Sequence, residues 1–171
     1  MPGEEGGAVS GIETFLAERG SDLLRAAWVL TGDSHHAEDL VQTALAKSLG
    51  AYPRLANDYK FEAYLRTTMY RTYVSWWRRR SWRSEFPTEH LPESVADGDA
   101  TAELRLDVVR ALEGLPRMQR AVVTLRYLED RSVAEVAETL GISDGAVKKY
   151  AHLGCAALRE SAQLTRKEAT S

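Results

Sequence analysis

Apolar residues recur at helical spacing on both sides of one acidic stretch, and this pattern restricts the 171-residue chain to an all-α fold. The pattern predicts three helices before the acidic stretch and four after it, and no segment alternates as a strand requires. The apolar stripes are formed by Ile12, Leu16, Leu23, Ala27 and Leu30; by Ala37, Leu40, Val41, Ala44, Leu45 and Ser48; by Phe61, Leu65, Met69, Tyr73 and Trp76; and by apolar positions from Leu106 to Leu158.

The acidic stretch, residues 84–104, is predicted to be a flexible linker. It contains Pro87, Pro92 and Gly98, and it carries six acidic residues but no Lys or Arg. The chain therefore divides into two small helical domains, at 11–83 and 105–163, joined by this acidic linker. Within the first domain, Gly32-Asp33-Ser34 is predicted to break the first helix, and residues 50–58 are predicted to form a loop.

Charge is segregated along the chain although the formal net charge is only −3. Six arginines and no acidic residue lie between Arg66 and Arg83, immediately before the acidic linker. A concentrated basic segment beside a concentrated acidic one is typical of a protein that binds nucleic acid.

Several classes of protein are excluded by the composition. A membrane span needs about 18 consecutive apolar residues, and no run in the sequence is close to that length. Residues 1–10 lack the apolar core of a signal peptide. The single cysteine, Cys155, excludes an internal disulfide and a cysteine-rich zinc site. We therefore expect a cytoplasmic protein with no cofactor.

A metal-dependent enzyme is a poor fit to the sequence. His35 and His36 precede Glu38 and Asp39, but the spacing lacks the i, i+4 histidine pair of a helical zinc motif. Solvated histidines at a helix start explain these residues better. Neither a glycine-rich phosphate loop nor a Gly-x-Ser-x-Gly turn is present, so the chain is expected not to be an enzyme.

The segment from Ser132 to Leu158 predicts a helix-turn-helix. Ser132 and Glu135 have the spacing of a capping box, Gly141 allows a sharp turn, and Ser143 can cap the second helix. Such a unit places its second helix in the major groove of DNA. The outward residues would be Asp144, Lys148, Lys149 and His152. The alternative interpretation is an ordinary helical hairpin within another α bundle.

The helix that contains Arg66 to Arg83 combines arginines with aromatic residues. Arginines neutralise phosphates, and aromatic rings stack on unpaired bases. Trp76 falls on the apolar stripe and is expected in the core. Tyr70 and Trp77 lie off the stripe, and for them both a core position and a base-stacking role remain open.

The order of these motifs resembles a known family. Ala-Glu-Asp-Leu-Val-Gln (37–42) precedes the basic aromatic helix, and Leu-Pro-x-x-Gln-Arg (115–120) and Leu-Arg-Tyr (125–127) precede the helix-turn-helix. Over residues 11–160 the chain is similar to small bacterial RNA polymerase sigma factors of the extracytoplasmic-function (ECF) group, in the sigma-70 superfamily. The run Tyr-Val-Ser-Trp-Trp-Arg-Arg-Arg (73–80) resembles an actinobacterial branch of that group.

The resemblance implies a transcription initiation factor with no catalytic residue of its own. Region 2, residues 11–83, would dock on the clamp helices of the largest subunit of core RNA polymerase, and would recognise and melt the −10 element of promoter DNA. Region 4, residues 105–163, would read the −35 element and contact the polymerase flap. An anti-sigma factor is a common partner in the group, and no membrane contact is implied.

The resemblance also assigns residues to these three contacts. The residues expected to dock on polymerase are Asp39, Leu40, Val41 and Gln42. Those expected at the −10 element are Ala51, Leu55, Asn57, Lys60, Phe61, Arg66, Tyr70, Arg71, Trp77, Arg78, Arg79 and Arg80. Those expected at the −35 element are Arg131, Ser143, Asp144, Lys148, Lys149, Tyr150 and His152.

Two other classes of function compete with a sigma factor. A stand-alone helix-turn-helix regulator would bind duplex DNA as a symmetric dimer, but no heptad pattern or dimerisation helix is apparent. A helical metal-dependent hydrolase would bind metal tightly, and it is the weakest of the three hypotheses.

Overall fold

The computed structural model describes residues 4–55, 57–78 and 100–170, and within them the side chains of 11–55, 57–76 and 107–170. Every regular element in these ranges is helical, which confirms the all-α prediction. The helices are α1 (Glu4–Thr31), α2 (Ser34–Ser48), α3 (Tyr52–Leu55), α4 (Asp58–Arg78), α5 (Ala100–Glu113), α6 (Arg117–Val123), α7 (Val133–Leu140) and α8 (Asp144–Thr170). In this part of the chain, no helix is long and apolar enough to cross a membrane.

The first two helices are separated where the sequence predicts a break. Gly32 has a φ of 72°, a conformation that glycine adopts without strain. Asp33 then caps α2, because its carboxylate accepts a hydrogen bond from the His35 backbone N–H at 3.0 Å. The buried faces of α1, α2 and α4 meet in one core that contains Phe15, Leu40 and Phe61.

The prediction of a loop over residues 50–58 is wrong for most of that segment. A 3₁₀ turn, Leu49–Ala51, leads into the one-turn helix α3. Pro53 lies in the first turn of α3, where its missing N–H costs no helical hydrogen bond. The Tyr52 ring packs edge-on against Phe61 at 5.0 Å, so a tertiary contact orders this segment.

The helix-turn-helix has the local signals that the sequence predicts. Ser132 and Glu135 form a capping box, with hydrogen bonds of 2.9 and 3.1 Å. Gly141 ends α7 with a φ of 67°, and the Ser143 hydroxyl accepts from the Ala146 N–H at the start of α8. The preceding helix differs from expectation, because it widens into a π turn over Thr124–Leu128.

Gly154 allows α8 to pack closely on α6. A Cβ atom at this position would lie 2.6 Å from Cγ2 of Val123. Glycine in a helix interior costs about 1 kcal/mol relative to alanine. The close approach explains why the helix contains it.

The two halves of the chain pack against each other. Helix α1 contacts α5 and α6, and α4 contacts α6 and α7. Buried residues of both halves belong to one apolar cluster, which includes Tyr70 and Tyr73 on α4 and Val122 and Val136 on the other side. The halves therefore share a core in this arrangement.

Arg120 fastens the two halves at one end of their interface. Its guanidinium donates to the carbonyl oxygens of Leu112, Glu113 and Leu115, which follow or end α5, at 2.8 to 3.1 Å. It also donates to the Leu30 carbonyl near the end of α1, at 2.7 Å. One side chain thus satisfies carbonyls from the ends of two helices, which have no intrahelical partner.

Most of the predicted linker lies outside the described residues, which resume at residue 100. Helix α5 begins at Ala100, so the last five residues assigned to the linker, 100–104, are helical. Local helix propensity explains the difference, because Ala100, Ala102, Glu103 and Leu104 are compatible with an early helix start.

Candidate nucleic-acid interface

Helix α8 presents its predicted DNA-reading residues to solvent. Asp144, Lys148, Lys149 and His152 are exposed, and Ser143 is exposed beside them as the helix cap. An outward face with two lysines is compatible with a recognition helix in the major groove.

Two other predicted −35 residues are only partly accessible. Tyr150 is half-buried and packs against the core, so only part of its ring can be reached from solvent. Arg131 is half-buried in the segment before α7, and its carbonyl accepts a hydrogen bond from Arg126. Both side chains are therefore less accessible than the exposed residues of α8.

Two further arginines extend this face. Arg126 and Arg159 line a hollow together with Lys148 and His152, and Cys155 lies in the same hollow. Arg126 is held there by its bond to the Arg131 carbonyl, and it lies 5.7 Å from the centre of the Tyr127 ring. The spacing of Lys148, His152 and Arg159 along one helix could have identified Arg159 from the sequence. Arg126 comes from another element, so no helical spacing reveals it.

Helix α4, the predicted −10 helix, is less exposed than α8, because the C-terminal half of the chain covers part of it. Tyr70 is 1% exposed, so it is not the exposed stacking surface considered from the sequence. Its hydroxyl lies 3.3 Å from Oε1 of Glu129, in the loop before α7. The exposed Arg71 donates from Nε to the Thr139 carbonyl at 3.4 Å. Tertiary packing decides the position of Tyr70, because it lies off the apolar stripe of its own helix.

Arg66 lies at the centre of an ion-pair cluster that joins the halves. It donates to Glu129 at 2.6 Å and to Glu62 at 3.2 Å, and Glu62 also pairs with Arg19 at 3.4 Å. Burial alone would lower the pKa of Arg66, but Glu129 and Glu62 outweigh this effect and raise it.

Burial, followed by the negative charge of Glu129, raises the pKa of Tyr70 well above 10. Its phenol therefore stays protonated at neutral pH and can donate a hydrogen bond to the carboxylate. Glu129 was not identified from the sequence, because acidic residues after a helix have no distinguishing pattern.

Several residues predicted as contacts belong instead to the core. Leu40 and Phe61 are fully buried, and Ala51 is 3% exposed. Leu55 is half-buried against the same core. The motifs that contain these residues are amphipathic, so they include buried as well as exposed positions of each helix. The buried side chains hold the bundle together.

Other predicted residues of the first half are accessible. Asp39 and Gln42 are exposed on α2, and Val41 beside them is half-buried. Lys60 is exposed on α4. Asn57 is also exposed, and its side-chain oxygen accepts from the Lys60 N–H at 2.8 Å, so it caps α4. The side chains of Trp77, Arg78, Arg79 and Arg80 lie outside the described residues.

The His-rich start of α2 is explained by capping. The His36 ring nitrogen Nδ1 lies 2.5 Å from the Asp33 carboxylate, which also caps the helix. Among the residues whose positions are described, no group of three or more His, Cys, Asp or Glu is arranged to hold a metal ion.

Comparisons with known proteins identify both halves of the chain. The family described as sigma-70 region 2 matches residues 15–83, and the family described as sigma-70 region 4 matches residues 105–158. The RNA polymerase sigma-E factor of Streptomyces coelicolor is 42% identical over 159 residues, covering 90% of this chain and 87% of the relative. The ECF RNA polymerase sigma factor SigL of Mycobacterium tuberculosis is 32% identical over 152 residues, covering 85% of each.

A solved structure shares the fold. It is that of the sigma factor RpoE from Bartonella quintana in complex with the anti-sigma factor NepR. It superposes with a TM-score of 0.64 at 25% sequence identity, covering 90% of this chain and 97% of that chain.

Proposed function

This chain belongs to the extracytoplasmic-function group of the sigma-70 family, and we propose that it directs core RNA polymerase to promoters by reading their −10 and −35 elements. The observation that carries the proposal is the order of two matches in one chain, region 2 followed by region 4. A stand-alone regulator is not favoured, because it would need only the helix-turn-helix. The factor needs no catalytic residue, since polymerase performs the chemistry.

Reading of the −35 element is assigned to α8. Lys148, Lys149 and His152 lie on its exposed face, and Asp144 lies at its first turn. A rigid helix with exposed polar side chains suits the major groove, where each base pair presents a distinct set of donors and acceptors. Arg126 and Arg159 beside this face are proposed as additional phosphate contacts.

Recognition and opening of the −10 element are assigned to the surface of α4. Lys60, Arg66 and Arg71 supply positive charge, which strand separation needs to hold the backbone. The basic run that follows, together with Trp77, would supply further cations and a stacking surface. The buried side chains of Ala51 and Phe61 are removed from this set.

Docking on polymerase is assigned to the exposed face of α2. Asp39 and Gln42 are three residues apart on one helix face and point away from the core. Leu40 supports this face from inside. The clamp helices of the largest subunit are the proposed partner, and the cytoplasm is the proposed location because the polymerase acts there.

A protein antagonist is included among the proposed partners. The solved relative RpoE is bound to the anti-sigma factor NepR. By analogy we infer that this chain also binds an anti-sigma factor.

Transcription from genomic DNA with purified chain and sigma-free core polymerase tests the proposal. We expect discrete new 5′ ends that share two upstream sequence elements. Core polymerase with the Asp39→Ala, Gln42→Ala double variant is the matched control and should produce fewer of these transcripts. Specific duplex binding by the chain alone, without polymerase binding or new start sites, would reject a sigma factor.

A further inference from the structure

The carboxylate of Glu129 lies on the predicted −10 surface. One of its oxygens is 2.6 Å from the Arg66 guanidinium and 3.3 Å from the Tyr70 hydroxyl. Both are hydrogen-bond donors, and Arg66 is positively charged. A guanidinium beside a hydroxyl is also a suitable site for a phosphate oxygen.

We propose that Glu129 keeps the chain closed by occupying the site where Arg66 and Tyr70 bind a phosphate of promoter DNA. This inference rests on the proposed function, because it assigns DNA contacts to α4. Glu129 and a DNA phosphate then compete for the same donors, so the two halves must separate before α4 can bind DNA.

Further contacts hold the two halves of the chain together. Arg71, a second predicted −10 residue, donates to the Thr139 carbonyl on α7. Tyr70 itself is 1% exposed because the C-terminal half covers it. At the other end of the interface, Arg120 bridges to the Leu30 carbonyl. Separation would uncover α4, while the exposed face of α8 is accessible in both states.

The closed state has a specific electrostatic consequence. Arg66 is shared between Glu129 and Glu62, and Glu62 lies on the same helix four residues away. Opening removes Glu129 but leaves Glu62, so Arg66 keeps one carboxylate and has donors free for a phosphate. Glutamine in place of Glu129 keeps the shape of the side chain and removes its charge.

Energy transfer between two dyes on the full chain measures its opening. The dyes are attached at Glu18→Cys on α1 and Gln163→Cys on α8, both exposed positions, in a Cys155→Ala background. We expect high transfer in the parent chain and lower transfer with Glu129→Gln. Adding a 20-nucleotide oligothymidylate should open the parent chain, and the Glu129→Gln variant should open at a roughly tenfold lower concentration.

Two variants serve as controls. Glu160→Gln makes the same charge change at an exposed position on α8 and should leave both the transfer and the midpoint unchanged. Arg66→Gln removes the partner of Glu129 and also the phosphate site. It should therefore lower the transfer without tightening oligothymidylate binding. Circular dichroism confirms that each variant remains helical.

Three results would overturn the inference. They are low transfer in the parent chain, unchanged transfer in both Glu129→Gln and Arg66→Gln, and opening by Glu129→Gln without a lower oligothymidylate midpoint. Failure of the proposed function is separate, since it would be the absence of new transcript starts with core polymerase. The transfer measurements do not require polymerase.

Discussion

The residues predicted to contact DNA or polymerase have different environments in the two halves of the chain. In the C-terminal half, none of the seven predicted −35 residues is buried, and five of them are exposed. In the N-terminal half, Leu40, Ala51, Phe61 and Tyr70 are buried. A recognition helix docks through its outer face, so its polar pattern identifies contacts directly. The family motifs of the first half contain core positions as well as exposed ones. Spacing alone does not distinguish the core residues from the predicted contacts.

The largest effect is expected within the motif that we propose to dock on polymerase. Leu40→Ala should lower the free energy of unfolding by about 2–5 kcal/mol, because it leaves a cavity in a fully buried site. The adjacent double variant Asp39→Ala, Gln42→Ala should change stability little and weaken polymerase binding roughly tenfold. Urea unfolding and a polymerase-binding titration measure the two effects. A stable Leu40→Ala variant would place Leu40 outside the core.

The next effect tests the close packing beneath the exposed face of α8. Gly154→Ala should destabilise the chain by about 1–3 kcal/mol, because its Cβ would lie 2.6 Å from Val123. Gly145→Ala, on the same helix, is the matched control, since its Cβ would meet only the Ser143 hydroxyl at 3.9 Å. We expect the control to be neutral or stabilising by up to about 1 kcal/mol. Equal thermal shifts in the two variants would contradict the close approach.

A smaller effect tests the exposed lysines of α8. Lys148→Ala or Lys149→Ala should weaken −35 duplex binding several-fold without changing the unfolding midpoint. The slope of log affinity against log salt should become shallower by about 0.9 for each phosphate that the variant no longer neutralises. Lys167→Ala, in the last turn of α8, provides a charge-matched control. A salt slope equal to that of the parent would show that the lysine does not touch a phosphate.

The smallest effect is expected at the junction of the halves, at Glu113. Burial raises the pKa of its carboxyl, although Arg120 and Arg110 oppose this shift. Because its pKa is raised in the folded chain, the protonated carboxyl stabilises the fold. This contribution is complete below the ordinary pKa of 4.5, and it is lost as the pH rises through the folded-state pKa. Glu113→Gln should therefore stabilise the chain at pH 7, by only a few tenths of a kcal/mol because solvent screens the group.

The gain from Glu113→Gln should shrink as the pH falls through the raised folded-state pKa of Glu113, and it should be lost below about 4.5. Thermal unfolding of both chains at several pH values measures this trend. An equal gain at every pH would show that the substitution acts through packing and not through charge.

Local signals were sufficient for much of the fold and part of the site. The Ser132–Glu135 capping box, the break at Gly32 and the left-handed Gly141 all occur where the sequence predicts them. Each depends on residues within one or two turns of the chain. The exposed face of α8 was predictable for the same reason, because helical spacing alone determines which side chains point outward.

Contacts between distant residues were not predictable in this way. Helix α3 replaced a predicted loop because Tyr52 packs on Phe61, and the burial of Tyr70 depends on the half of the chain that lies more than fifty residues away. The contact of Glu129 with Arg66 and the position of Arg126 beside α8 depend on neighbours on other elements.

The sequence by itself determined most of the helices, several of their caps, the helix-turn-helix and membership of the ECF sigma family. These depend on periodicity, turn chemistry and motif order, which can all be read from residues close together or in sequence along the chain. Only the tertiary structure decided that the halves share a core and that the Glu129 carboxylate accepts hydrogen bonds from Arg66 and Tyr70. The physical reason is that burial and charge pairing depend on distance in space, and residues 59 to 63 positions apart meet here.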